Sequence, residues 1–348
     1  VTRIALITTT INVPTVLTQW ATSMTKDDLI VIAGDKKSPH DEIIDLLIEI
    51  SESTGVDTVY LTPDVQERYA VSEVIGWNCI QRRNIALLNA MEHNPRYILT
   101  IDDDNAPTQK NQVERLITAI ESDKHDFSKT NTGWYNPGRS CMTNDYRFVT
   151  HRGFPLSQRH IKPFITADAK CPIGVAAMLW TGAPDIDAVE RIVSDPEITR
   201  IYHDDVVVTP GTWAPFNTQA TMFRAELAPA MFMWPHVGRY DDIWASYLTR
   251  AVMDQLGWGA YYGHPVVHQD RNPHDLIKDL KAEIFGMKHN ETIIKALREA
   301  RFASDSDSPI AMTADLFIAA ENTGILPHNT VRAFSHWIAD VRRAQGGW

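Results

Sequence analysis

The chain has 348 residues, 44% of them hydrophobic and 22% charged, which are globular proportions with enough apolar material for a sizeable core; a disordered or low-complexity protein is excluded. A net charge of −11 argues against bulk affinity for polyanions, because nucleic-acid binding rests on Lys and Arg neutralising phosphates. No window reaches the roughly 18 uninterrupted apolar residues of a membrane span, and Cys79, Cys141 and Cys171 form neither an even disulfide framework nor a CxxC zinc pair, so reduced, buried thiols are expected.

An apolar, β-branched run at 3–9 reads as the first strand and ends in Thr8, Thr9 and Thr10. No basic leader precedes it, so a cytosolic protein is expected. Pro14 leads into a helical stretch at 16–24. A second strand at 29–33 ends in Gly34 and Asp35, and helix-period apolar residues follow at 42–51. After a turn at Gly55 come a strand at 58–61, a helix at 80–91, and a strand at 97–101 that runs straight into Asp102, Asp103 and Asp104. This alternation implies an α/β fold with a mostly parallel sheet covered on both faces. Ligands of such sheets sit at the carboxyl ends of the strands, where Thr8, Thr10, Asp35 and the aspartate triplet converge on one rim. From 126 to 177 the pattern breaks into Gly-, Pro- and Asn-rich turns with aromatic residues between, which suits an acceptor side made of loops and short strands. Strands return at 206–209 and 260–268, with a helix at 240–256. Helical periods dominate from 275, interrupted by a loop at 304–308. The expected organisation is a catalytic domain at 1–274 and a helical region at 275–348 packed on it.

Three consecutive carboxylates repel one another, and each raises the pKa of the others. A divalent cation offsets that repulsion. Mg2+ and Mn2+ prefer oxygen ligands and leave room for phosphate oxygens. Asp102 and Asp104 lie on one side of an extended segment, so they are the expected metal ligands, with His268 as a further candidate at the end of its strand; Asp103 is assigned to the nucleotide-sugar side of the same rim. Arg82 and Arg83, just before the metal strand, suit fork-like contacts with phosphate, and Asp35 suits a uracil imide or a ribose hydroxyl. Asp241 and Asp242 open a helix and are candidates for a general base or for holding sugar hydroxyls. Their neighbours Tyr240 and Trp244 suit sugar stacking. Arg152 and Arg159 are candidates for an electrostatic clamp on a departing diphosphate. His203, Asp204 and Asp205 form another polar cluster, for which a turn is as good an explanation.

The segments YILTIDDD ending at Asp104, RGFPLSQR from Arg152 to Arg159 and GRYDDIWAS from Gly238 to Ser246 resemble those of the plant reversibly glycosylated polypeptides, or UDP-arabinopyranose mutases. TTTINVPT from Thr8 to Thr15 looks like the family's first loop, which adds Asn12 to the nucleotide-sugar candidates, and Asn272 and Pro273 also fit. The resemblance implies a type-A glycosyltransferase fold, a DxD metal site at Asp102 and Asp104, and a UDP-sugar ligand. It also implies that Arg152 matches the arginine that becomes reversibly glycosylated and that Arg159 matches a second important one. The chain departs from the family at Asn105, Gln158 and His160. The leading expectation is therefore a Mn2+- or Mg2+-dependent transferase moving a sugar from a UDP-sugar to an acceptor hydroxyl on a glycan, a protein, a small molecule or modified DNA. The alternative is a UDP-sugar mutase without a separate acceptor, and a third reading is a sugar-nucleotide-binding scaffold. A homo-oligomer is compatible with each.

Overall fold

The structure, a computed structural model, describes residues 2–202, 205–271, 275–303 and 308–346. His203 and Asp204, Asn272 and Pro273, and all but the end of the expected loop at 304–308 lie outside the described residues. Four apolar runs of the N-terminal third form β1 (Ile4–Thr10), β2 (Leu29–Gly34), β3 (Asp57–Leu61) and β4 (Tyr97–Ile101). They pair in parallel in the order β3-β2-β1-β4. Every residue of β1, β2 and β4 is buried, as expected of parallel strands covered on both faces, and this is why their sequences are continuously apolar and not alternating. The crossovers carry α1 (Val16–Ala21), α2 (His40–Thr54), α3 (Pro63–Gln66), α4 (Ala70–Ile75) and α5 (Arg83–Glu92). Gly55 ends α2 in the left-handed conformation, φ 74°, where a side chain would be strained.

The chain continues through β5 (Asn105–Pro107), α6 (Gln112–Glu121), β6 (Asp126–Thr130), β7 (Cys141–Thr143), β8 (Ile165–Ala167), β9 (Ile173–Gly182), α7 (Ala188–Ser194), β10 (Ile198–Ile201), β11 (Val206–Val208), β12 (Ala220–Arg224), α8 (Asp241–Leu256) and β13 (Gly259–Gln269). Beyond β4 the sheet runs β12-β9-β13-β11-β6-β8. Strand β12 is antiparallel to both neighbours, β4 and β9, and β13 is antiparallel to β11. The sheet is therefore mixed, which corrects the mostly parallel expectation for its second half; antiparallel neighbours need no helical crossover, so the alternation of strand and helix stops there. Strand β9 begins in the stretch expected to hold loops and short strands and, at 10 residues, is longer than the strands expected there.

Helices α9 (Leu276–Glu299), α10 (Pro309–Glu321) and α11 (His328–Ala344) form the expected helical extension. They share one apolar cluster with the sheet face that carries Ile7 and Val31 and with Ile85 of α5, and Phe317, Phe334 and Trp337 belong to it. The opposite face is closed by a second cluster around Trp20, Leu99, Val113 and Trp180. Trp337 is fully buried, stacks on Phe232 at 5.1 Å and donates its indole N–H to the carbonyl of Pro229 at 2.8 Å. Trp337→Ala is expected to cost about 3–5 kcal/mol. It should lower the urea midpoint without changing the slope. Among the described residues, no helix is long and apolar enough to cross a membrane.

Candidate functional site

The carboxyl ends of β1 and β4 open into a cleft of about 470 Å3 lined by the aspartate triplet, Arg83, Arg152, Asp185, Arg239, Asp241, Asp242, Gln269 and Arg271, among others. Parallel strands bring the first members to one rim. Helix α8 brings Asp241 and Asp242 to the opposite wall.

Each carboxylate of the triplet has its own partner. Arg83 donates one terminal nitrogen to Asp102 and the other to the carbonyl and hydroxyl of Thr218, both at 2.9 Å. Asp103 accepts from the Thr10 hydroxyl at 2.5 Å and from the Asn12 amide at 3.5 Å, so the first loop orients the middle aspartate. Asp104 accepts from the Asn105 amide at 3.2 Å, and its carboxyl is pushed up to about 7 by burial and then by the charges of Asp102 and Asp103. Arg83 thus joins any cation in relieving the repulsion: it neutralises Asp102, and Asp104 keeps the raised pKa. Among the described residues, no group of three or more His, Cys, Asp or Glu side chains forms a ready-made metal cage. The remaining donors, Asp104 and the second oxygen of Asp102, fit a divalent cation whose other ligands are phosphate oxygens and water.

The opposite wall centres on Arg152, which is 6% exposed. Its Nε donates to Asp185 at 2.7 Å and its two terminal nitrogens donate to the two oxygens of Asp242, each at 3.0 Å. One terminal nitrogen also donates to the backbone carbonyl of Arg239. Burial opposes the charge, but Asp185 and Asp242 hold the guanidinium well above its usual value. Against the cost of burial, Arg152 and the neighbouring His151 in turn hold Asp185 below the usual carboxylate range. Burial pushes His151 itself down, and its Nδ1 lies 2.7 Å from the Arg152 carbonyl.

Asp241 stands apart from that clamp, its carboxylate accepting from the Gln81 amide. Burial and the adjacent Asp242 push it up to about 7, which suits proton exchange near neutrality. An unfolded aspartate titrates near 3.9, so between about pH 4 and about 7 the folded chain keeps a proton that the unfolded chain has lost. The stability from this group is complete at the acid end and is lost as pH rises through about 7. The melting temperature of Asp241→Asn should consequently fall less between about pH 5 and pH 8 than that of the native chain. Equal slopes would show that Asp241 is ionised throughout.

Other expected site residues lie elsewhere. Thr8 is buried and donates to the Ile101 carbonyl at 2.9 Å, so it ties β1 to β4 behind the rim. Asp35 accepts from the backbone N–H groups of Asn78 and Cys79 at 2.9 and 3.2 Å. It shapes the loop whose Cys79 lines the cleft. Arg82 turns away: it lies 3.8 Å over the Trp77 ring and donates through Nε to Gln66 at 2.9 Å, because successive helical residues point in different directions. His268 is exposed, with Nδ1 3.2 Å from the Thr181 hydroxyl. Strand alternation turns Gln269, not His268, into the cleft, where the Gln269 side chain hydrogen-bonds Asp104. Arg159 pairs with Asp187 and lines a different cavity. Tyr240 and Trp244 are buried at 2% and 0% exposure, which corrects their expected sugar-stacking role. A Cβ on Gly286 would sit 2.0 Å from the Tyr240 ring, and the Trp244 indole N–H donates to Asn290 at 3.1 Å. The three thiols are free, with Cys141 buried and Cys79 and Cys171 half-buried.

Sequence reasoning missed Asp185, Arg239, Gln269 and Arg271 in the cleft, and Glu283 behind it. Glu283 on α9 accepts from Arg239 Nε at 3.1 Å and from the backbone N–H of Ala188 at 2.7 Å. Single charged residues of this kind carry no local pattern. Only strand parity could have pointed to Gln269.

Residues 2–321 match the profile of the family described as Reversibly glycosylated polypeptide. A probable UDP-arabinopyranose mutase 1 of Pisum sativum is 27% identical over 258 residues, covering 70% of this chain and 67% of the pea protein. UDP-arabinopyranose mutase 3 of Arabidopsis thaliana is 29% identical over 243 residues, covering 66% and 64%. These matches span about two thirds of the relatives' own length. Among solved structures, a mannosyltransferase of Pyrobaculum calidifontis in complex with GDP-Man and Mn2+ is similar at 12% identity, 99% and 76% coverage and a TM-score of 0.43. Glucosyl-3-phosphoglycerate synthase of Mycobacterium tuberculosis in complex with Mn2+ and UDP-glucose is similar at 11% identity, 82% and 78% coverage and a TM-score of 0.44. With the aspartate-terminated strand, the arginine segment and the acidic helix start all inside the matched stretch, the chain belongs to the reversibly glycosylated polypeptide family.

Proposed function

We propose that the chain is an enzyme that binds a UDP-sugar in the cleft and works as a mutase, releasing and recapturing the sugar of its own donor and not passing it to a separate acceptor. The observation that carries this reading is the position of Arg152: a clamped guanidinium faces the same cleft as the aspartate triplet. The names of the relatives support it. Of the two carboxylates that the transferase reading offers as a base, Asp242 spends both oxygens on Arg152, which leaves Asp241 alone for that role.

Thr10 and Asn12 hold Asp103, and Arg83 holds Asp102, so the donor side is set before ligand arrives. A Mn2+ or Mg2+ ion on Asp104, Asp102 and the diphosphate would supply Lewis-acid stabilisation of the leaving UDP. As the anomeric C–O bond breaks, its electron pair leaves with UDP. A terminal nitrogen of Arg152 forms the new C–N bond and passes its proton to Asp242, 3.0 Å away. Asp241 then protonates the ring oxygen on opening and regains the proton when another sugar hydroxyl closes the furanose. Attack by a UDP oxygen breaks the C–N bond and returns the proton from Asp242 to the guanidine. The helices from 275 onward act as an integral layer of this enzyme, since Glu283 holds Arg239 from behind.

The test is incubation with UDP-arabinopyranose and Mn2+ without any acceptor, followed by chromatographic separation of the ring forms. UDP-arabinofuranose is expected. Sugar transfer only when a glycan, protein, small molecule or modified DNA is added would overturn the mutase reading.

A further inference from the structure

We propose that a second cavity, on the other side of the segment that carries Arg152, binds an organic phosphate bearing a flat ring, of the nucleotide class, at a site separate from the cleft. The cavity holds about 440 Å3 and shares no lining residue with the cleft; that volume is in the range of small-molecule sites. Arg139, Arg159 and Lys162 line it, and no Asp or Glu does among the described residues. Asp187 pairs with Arg159, and Glu190 acts on the same arginine from further away. Arg139 and Lys162 have no carboxylate partner among the described residues. In a chain of net charge −11, such a concentration of cations selects an anion. Arg159 adds a built-in donor, because its Nε is buried without a hydrogen-bond partner.

The rest of the lining is apolar and selects against a bare anion. Phe148, Phe154 and Ile161 contribute to it, and Ile161 stands 47% exposed, a cost that a ring laid against this apolar wall would reduce. A neutral sugar makes no use of the cations, and an uncharged lipid leaves them unpaired. A ring joined to phosphate satisfies both halves. Among the described residues its lining offers no carboxylate to hold a metal, so binding there is expected to be independent of Mn2+, unlike binding in the cleft.

Calorimetric titration with UDP, with and without Mn2+, tests this. The native chain is expected to take two UDP per chain. Asp102→Asn with Asp104→Asn should keep one, insensitive to Mn2+. Arg139→Gln with Lys162→Gln should keep the other, Mn2+-dependent one and weaken the second by at least about tenfold. Uridine and inorganic pyrophosphate should each bind the second site at least about tenfold more weakly than UDP. Lys162 is exposed, so Lys162→Glu alone tests the charge without threatening the fold. One UDP per native chain, a second site indifferent to Arg139→Gln with Lys162→Gln, or pyrophosphate bound as tightly as UDP would each overturn the proposal. Failure of the cleft as the UDP-sugar site would instead appear as absence of the Mn2+-dependent binding alone, and failure of the mutase reading would leave both binding events unchanged.

Discussion

Arg152→Ala is expected to abolish turnover and to destabilise the fold by about 3–5 kcal/mol, because it strands two buried carboxylates without their cation. Asp185 is 3% exposed and Asp242 5%, and the guanidinium bonds both. Among the described side chains, the hydrogen bond left to the Asp185 carboxylate is that from the Asn217 amide at 2.9 Å, a neutral donor. Arg152→Lys keeps the charge and loses the fork that spans Asp185 and both oxygens of Asp242, so it should recover part of the stability and little of the turnover. Chemical denaturation and the acceptor-free assay separate the two effects. The pH dependence carries a further signature. Asp185 is held below its unfolded value, so the stability from this pair is present above about pH 4 and is lost as pH falls toward the folded value. Arg152→Ala should shed that acid-side decline. An alanine variant with native turnover would remove Arg152 from the chemistry.

Asp104→Asn should separate activity from stability in the opposite way. The substitution relieves a carboxyl already pushed up to about 7 by burial and by two neighbouring charges, so the melting temperature should hold or rise near neutral pH. Turnover should fall by on the order of 10²-fold or more, since a metal on a leaving diphosphate is worth several kcal/mol of charge stabilisation. Calorimetry should show that Mn2+ strengthens UDP binding to the native chain and not to the variant at the cleft. Equal metal enhancement in both would place the ion elsewhere. Asp103→Asn offers a contrast, because Asp103 is engaged by Thr10 and Asn12; its loss should loosen the first loop and raise KM more than it lowers kcat.

The aspartate rim was legible because a buried strand followed by three carboxylates is a local pattern, and β4 ends at Ile101 as read. The arginine pairs were not resolved. Arg82 and Arg83 are adjacent in sequence, yet one stacks on Trp77 and the other holds Asp102, since the turn into α5 points them apart. Arg152 and Arg159 share one segment and open into two cavities. Tyr240 and Trp244 have the spacing of one helix face, and that face meets α9 and not solvent. His268 and Gln269 differ by one residue of strand parity, which an isolated apolar run does not reveal.

Local chemistry written along the chain therefore determined the parallel half of the sheet, the helical C-terminal layer and the position of the acidic rim, because each depends on a continuous run of neighbouring residues. The tertiary structure alone decided that Arg83 and not only a cation answers Asp102, that Asp185 joins Asp242 around Arg152, and that Glu283 reaches Arg239 from α9. Those partners are separated by 19, 33, 90 and 44 positions. Charge pairing acts through space and leaves no periodic trace in the order of residues.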